Sequence, residues 1–423
     1  MRTLFCGALV FKNGRLTALD ILVEDGIVSS IGYGLPQNGC DVVFDLSNKI
    51  ISPGFADVHV HLREPGFSYK ETIAAGTAAA AAGGYTALCS MPNLSPPPDS
   101  SEALTAQEEI IRDTALVPVL PYGCITVGQK GGELVDFSAL APRVAGFSDD
   151  GRGVQSADVM KSAMLAVKEA NSLIAAHCED ESLLFGGYIH DGAYARANGH
   201  RGISSKSEWG QLERDLELVR QTRCPYHMCH LSTKESAGFI RAAKAEGLPV
   251  SCETAPHYLL LCDEDIQEDG RFKMNPPLRS REDRDAVLKA VLDGTIDMVA
   301  TDHAPHSAEE KAGGLKASAM GVTGLETAFP MLYTYLVQTG KMSLETLLSR
   351  MALAPRRVFP ALPGGEIEEG RPLDICVIDP DFENVVRPES FFSKGRASPF
   401  EGRRTKGKII MTIAGGKTVW HLS

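Results

Sequence analysis

The chain has 423 residues, of which 43% are hydrophobic and 23% charged, an ordinary globular usage that excludes disordered and fibrous classes. With 42 Lys and Arg against 54 Asp and Glu the formal net charge is −12, and no Lys/Arg-rich run makes a local exception, so neither a nucleic-acid groove nor an anionic membrane surface is expected. The length allows one large domain and a smaller one.

The start, MRTLFCGALVFKNGRL, has no apolar core followed by a small-residue cleavage site. No later segment approaches the ~18 consecutive apolar residues of a membrane span, so the expected location is the cytoplasm. Residues 1–50 read as short strands: TLFCGALVF, a turn at Asn13-Gly14, then ALDILVEDGIVSSIG with a second turn at its Asp-Gly. Short apolar runs then alternate with helical stretches such as ETIAAGTAAAAAGG, SADVMKSAMLAVKEANS and TKESAGFIRAAKAEG, the mark of β/α units on a parallel sheet. The runs are GFADVHVH, YTALCSMPN, LVPVLPYGCIT, RVAGFSDDG, SLIAAHCED, CPYHMCHLS, LPVSCETAPH and DMVATDHAPH, the number that closes a (β/α)8 TIM barrel within the α/β class. The strand texture returns in LDICVIDP and GKIIMTIAGGKTVW, so the two ends are expected to share one small β domain (1–52 with 358–423) around a barrel at 53–357. Ten cysteines, Cys6 to Cys376, lack any C-x-x-C and read as small buried hydrophobes in a reducing compartment; Cys178, beside His177, is a minor candidate ligand.

Most of the runs finish on His, Asp or Asn, and in such barrels the active site is built from the C-terminal strand ends. His59 and His61 are i and i+2, so on a strand both face one way and reach one ion. The alternative is a pair of histidines that merely hydrogen-bond in a core. Asp150, His177, His230 and Asp302 end later runs, and six converging groups exceed the four positions of a structural zinc, which favours two metals. Asp150 is the choice for the bridging anion, with Asp149 pointing away, although DDG alone reads as a surface turn. Arg63 suits bidentate capture of a carboxylate, against a salt bridge to Glu64. Asn93 and Asn275, taken singly, read as turn residues or caps. His257 and His306 both follow Ala-Pro, and His306 lies close enough in sequence to Asp302 to reach the same pocket. The stretch 307–320 divides evenly between a lid and an ordinary flexible loop.

DVHVHLREPG, SMPN, SDDG, AHCED, HLST, APH, KMNPPLR, ATDHAPH and GLET, in this order from residue 57 to about 327, resemble the type I dihydroorotases of the amidohydrolase superfamily. The terminal strands fit that family's split domain, a small β-sandwich. The resemblance implies one zinc on His59, His61 and Asp302, a second on His177 and His230, and Asp150 between them. It makes Asp302 the acid/base as well. Substrate contacts then fall on His61, Arg63, Asn93, Asn275, His306 and the backbone near Met320 and Gly321. The sequence departs at Leu94, where the family usually has Thr, and at Met320, where an aromatic commonly precedes the Gly. The implied reaction is attack of metal-activated water on the ring amide carbonyl of dihydroorotate. Asp302 passes the proton to the departing nitrogen, giving N-carbamoyl-L-aspartate, and the reverse closes the ring in de novo pyrimidine biosynthesis.

Allantoinases and hydantoinases share the scaffold but generally bridge their metals with a carboxylated lysine, and RVAGFSDDGRGV offers aspartates and no lysine. A non-catalytic homologue serving aspartate transcarbamoylase would have lost ligands, whereas all six positions are filled here. A homodimer and an association of the active chain with aspartate transcarbamoylase are left open.

Overall fold

The computed structural model describes residues 1–422. Both early turns form as their residues require. Asn13 and Gly14 have φ of 51° and 75°, and Asp25 and Gly26 have 49° and 85°, the double positive φ of hairpin turns that match strand twist. They join Leu9–Lys12 to Arg15–Ala18 and Asp20–Glu24 to Ile27–Gly32. TLFCGALVF is not one strand, because the chain breaks at Gly7 (φ 80°), where a Cβ would lie 2.8 Å from the Ser47 Oγ. Arg2–Cys6 therefore enters a four-stranded sheet and Leu9–Lys12 a six-stranded one. In the larger sheet Ile50–Pro53 lies between Leu9–Lys12 and Ile375–Val385, and Arg404–Ala414 and Lys417–His421 follow. Phe5, Val10, Ile21, Ile51, Val377 and Met411 bring both sheets to one apolar cluster.

The middle of the chain is parallel. Phe55–Val60, Tyr85–Ser90 and Val119–Pro121 pair in one sheet, and Ile174–Ala176, Tyr226–Met228, Val250–Thr254 and Met298–Val299 pair in another. Single parallel bridges connect them, with Phe147 between Gly123 and Ile174 and Val60 beside His303. RVAGFSDDG thus yields one bridged residue rather than a strand, and the physical reason is a side chain that reaches another run. The Asp149 carboxylate accepts from the Ile125 and Thr126 amides at 2.8 and 3.1 Å, so a side chain replaces the ladder there. Asp57 does the same for the Thr301 amide at 3.0 Å. Helices Ile73–Ala82, Ala157–Glu169 and Lys234–Ala245 form where expected, each N-capped by a side-chain oxygen of Thr72, Ser156 or Thr233.

One part of the C-terminal segment leaves the sheets. Val386 and Phe400 pack with Tyr258, Leu261 and Met274, and the Ser393 hydroxyl donates to Glu71 at 2.5 Å. The buried Glu71 carboxylate needs donors, and this return of the chain supplies them. At the opposite end, Arg356 donates to the Gly54 carbonyl at 2.7 Å and to Thr86 Oγ1 at 2.9 Å, and lies 3.4 Å from Asp374. Burial pushes the Asp374 carboxyl up, and Arg356 opposes that.

Arg356→Met should leave Asp374 buried without its cation and cost about 3–5 kcal/mol. A lower thermal midpoint is the expected reading. The double variant Arg356→Met/Asp374→Leu should recover much of the loss, because no charge is then left alone.

Candidate active site

Parallel pairing sends every C-terminal strand end to the same side of the molecule. His59 lies in Phe55–Val60 and His61 just beyond it, His177 follows Ile174–Ala176, and His230 comes two residues after Tyr226–Met228. Asp150 stands three residues past the Phe147 bridge, and Asp302 three past Met298–Val299. Arg63, His230 and Asp302 hold positive φ (64°, 34° and 47°), a conformation that side-chain-bearing residues adopt only when their surroundings fix it.

The six groups converge. His59 Nε2 is 3.4 Å from Asp150 Oδ1 and 3.6 Å from Asp302 Oδ1; His61 Nε2 is 3.1 Å from Asp302 Oδ1 and 3.5 Å from Asp150 Oδ2. From the other side, His177 Nδ1 and His230 Nε2 lie 3.6 and 3.4 Å from Asp150 Oδ1 and only 2.9 Å apart. Asp150 is thus the group common to both histidine pairs, and Asp149 points away, held by the Ile125 and Thr126 amides rather than by strand alternation. All six are buried. Burial raises the Asp150 carboxyl, but the imidazoles of His59, His177 and His230 outweigh it and hold the group well below the ordinary range. Asp302 is likewise raised by burial and lowered more by His61 and His59, so both carboxylates are ionised.

This donor set fits a metal. His59 Nε2 and Asp150 Oδ1 are buried with no hydrogen-bond partner, a costly state for polar atoms unless a cation joins them. His59, His61 and Asp302 form one cluster of ligand atoms, and His59, Asp150 and His230 another. Outer partners fix which nitrogen faces inward. His59 Nδ1 bonds Glu253 Oε1 at 2.7 Å and His61 Nδ1 bonds Asn93 Oδ1 at 2.8 Å, leaving both Nε2 lone pairs for an ion.

A cavity of about 250 Å³ opens above these groups, lined also by Arg63, Asn93, Asn275, His306, Met320 and Gly321. Arg63 does not bridge Glu64, whose carboxylate instead accepts from the Ile73 amide at 2.8 Å. Its Nε donates to the Pro305 carbonyl at 3.2 Å, and among the described residues it forms no salt bridge. Burial pushes the guanidinium down to about 10, still charged at neutral pH. His306 is pushed down to about 3 by burial and by Arg63 and Lys70, so the ring is neutral. Its Nε2–H donates to the Met320 carbonyl at 2.8 Å. That carbonyl is therefore engaged by the protein itself. Asn275 donates to Glu179 Oε1 at 3.0 Å.

His257 and Cys178 do not line the cavity. His257 packs on Tyr258, and Cys178 Sγ lies 3.2 Å from the Tyr226 hydroxyl with its thiol raised by burial. The ten cysteines are free, and eight of them are buried. Sequence reasoning missed Glu253 and Glu179. For Glu253 a signal existed: a carboxylate in the middle of the apolar run LPVSCETAPH demands a buried partner.

Residues 48–236 match a family model described as dihydro-orotase-like. Dihydroorotase of Bacillus caldolyticus is 49% identical over 412 residues, 97% of this chain and 96% of the relative. That of Geobacillus kaustophilus (strain HTA426) is 50% identical over 414 residues, with the same coverage of 97% and 96%. Among solved structures, L-hydantoinase (dihydropyrimidinase) from Arthrobacter aurescens superposes with a TM-score of 0.88 at 24% identity, covering 100% of this chain and 97% of that one. Dihydropyrimidinase from Brevibacillus agri NCHU1002 gives 0.87 at 21% identity, over 100% and 95%. At these identities the likeness speaks for a shared α/β fold.

Glu253→Ala should release His59 Nδ1 from its acceptor and weaken metal binding by roughly 10–100-fold, the usual effect of losing such a partner. Metal retained per chain after dialysis against a graded chelator measures it.

Proposed function

The chain belongs to the dihydroorotase family, and on that premise we propose that it catalyses the reversible hydrolysis of the cyclic amide of dihydroorotate to N-carbamoyl-L-aspartate, the ring closure of de novo pyrimidine biosynthesis. The observation that carries the choice of substrate is Arg63: a buried, charged guanidinium beside the His/Asp centre, with no carboxylate of its own. A buried cation facing a cavity calls for an anion, and the dihydroorotate carboxylate provides one in the planar form that a guanidinium binds with two parallel hydrogen bonds.

The ligands we assign are His59, His61 and Asp302 for one zinc and His177 and His230 for a second, with Asp150 shared. Zinc held there would supply Lewis acidity and bring the pKa of water to about 7. Asp302, ionised and 3.1 Å from His61 Nε2, is our acid/base: its carboxylate takes the proton from attacking water and returns it to the ring nitrogen as the C–N bond breaks. Arg63 holds the substrate carboxylate. Asn93, its oxygen turned to His61, has its amide N–H groups for the substrate, whereas Asn275, whose amide nitrogen is held by Glu179, is assigned a substrate contact through its place in the cavity lining. His306, a neutral ring bonded to the Met320 carbonyl, is assigned to the substrate together with the backbone at Met320 and Gly321, all of which line the cavity.

We also read the parallel portion as a (β/α)8 barrel over 53–357, with 1–52 and 358–423 as the small β-sandwich except for 386–403, which folds back over the parallel layer. The bridges at Phe147 and His303 support closure, and the shared cluster of the two terminal sheets supports the sandwich. No helix among the described residues is long and apolar enough to cross a membrane.

Ring opening of dihydroorotate, measured beside allantoin, hydantoin and dihydrouracil, tests the substrate assignment directly. Dihydroorotate should be strongly preferred. Both Arg63→Ala and Arg63→Lys should lose most of that preference, since a point charge does not reproduce a bidentate contact. Unchanged preference in either variant would remove Arg63 from the substrate site.

An aspartate bridge needs no carbon dioxide. Zinc restored to stripped protein in carbon-dioxide-free buffer should give the same activity as zinc restored with bicarbonate. A requirement for bicarbonate would mean that a carboxylated lysine holds the metals instead.

A further inference from the structure

Lys311 is an unusual lysine in this chain. It lies outside the catalytic centre, it is buried, and its ammonium faces backbone carbonyls: Nζ donates to Lys273 O at 3.0 Å, Ala319 O at 2.8 Å and Gly321 O at 2.7 Å. Three diverging N–H bonds meet three carbonyls, a match that an ammonium makes and a planar guanidinium does not. The carbonyls come from two separate segments. Lys273 stands two residues before Asn275, and Ala319 and Gly321 flank Met320. Both segments line the cavity below Arg63 and His306.

Further bonds follow the same seam. The Gly321 amide donates to Lys273 O at 3.0 Å, the Ala319 amide to Glu310 O at 2.9 Å, and Lys273 Nζ to Lys316 O at 3.0 Å. Ser318 Oγ closes on the Lys311 carbonyl at 2.9 Å. Gly270 seats this knot without room to spare, since a Cβ there would lie 2.3 Å from the Lys311 carbonyl and from Ser318 Oγ. The stretch 307–320 carries two short helices, Ala308–Lys311 and Gly314–Ala317, tied down by the ammonium groups of Lys311 and Lys273.

We propose that Lys311 is a positioning residue for substrate binding: its ammonium locks the 319–321 backbone to the 273–275 segment, so that the substrate-facing wall of the cavity is set before substrate arrives. The proposal rests on the dihydroorotase reading for the identity of that substrate, and on geometry alone for the lock. Burying the cation is costly, and burial with the nearby Lys273 pushes Lys311 down to about 7, against the opposing pull of Asp269 and Glu310. An ammonium kept at that cost and bonded to three backbone carbonyls points to a role in holding the wall. Preformed walls improve binding because the ordering entropy is already spent.

Lys311→Met keeps the apolar stem and removes the donors. Hydrogen exchange on the substrate-free protein should show the amides of Ala319 and Gly321 exchanging faster, with the Ile174–Ala176 and Tyr226–Met228 strands unchanged. In turnover of dihydroorotate, KM should rise roughly tenfold or more while kcat and metal content stay near the parent values, the pattern of lost binding rather than lost chemistry. Unchanged exchange at Ala319 and Gly321 overturns the lock. A proportional fall of kcat with faster exchange throughout the protein also overturns it, since that is general destabilisation. If Lys311→Met does not fold, Lys311→Gln, which keeps a shorter donor, is read by the same measurements. A parent protein inactive on dihydroorotate would defeat the functional reading and leave the exchange experiment to decide the lock alone.

Discussion

Four imidazoles and two carboxylates are packed within hydrogen-bonding range at the end of a dry parallel layer, and the cost of taking such groups out of water governs much of what surrounds them. Each must face a counter-charge, a hydrogen-bond partner or an ion. Asp150 answers part of the problem by standing between the two histidine pairs, and the two orphaned atoms, His59 Nε2 and Asp150 Oδ1, mark the part that protein groups leave to a metal. His230 and Asp302 of that centre, and the neighbouring Arg63, hold positive φ, a conformation that the surrounding packing must fix.

Around this centre lies a second layer of fixed groups. Glu253 orients His59 and also reaches His227, Asn93 orients His61, and Glu179 stands beside His177 while holding Asn275. In the function proposed above, metal chemistry and substrate recognition would be joined through shared residues. Asn93 touches His61, Asn275 touches His177, and both line the cavity, so the histidine centre and the cavity wall constrain one another's geometry.

Much of this was legible in the sequence for definable reasons. His59 and His61 declared themselves by strand alternation, Asn13-Gly14 and Asp25-Gly26 by the positive φ their turns need, and the helices near 73, 157 and 234 by their caps and composition. Illegible features depended on contacts distant along the chain. That RVAGFSDDG would yield a bridge rather than a strand turned on the Asp149 side chain finding two amides in another run. That 386–403 would fold back over the parallel layer turned on Glu71 needing donors from Ser393 and Lys394. Lys311 reads as an ordinary polar residue in SAEEKAGG, and only the arrival of three carbonyls from separate segments gives it a task.

The central place of Ile50–Pro53 in the six-stranded sheet bears on how the molecule is made. One edge of that strand pairs with Leu9–Lys12, already synthesised, but its other edge waits for Ile375–Val385, near the end of the chain. At roughly 5–20 residues per second the interval on a ribosome is on the order of tens of seconds. Throughout it, an apolar strand with unpaired amides and carbonyls stands open to any other strand nearby. The nascent chain is thus most exposed to mispairing at its first-made sheet, and the last strands to emerge are what close it.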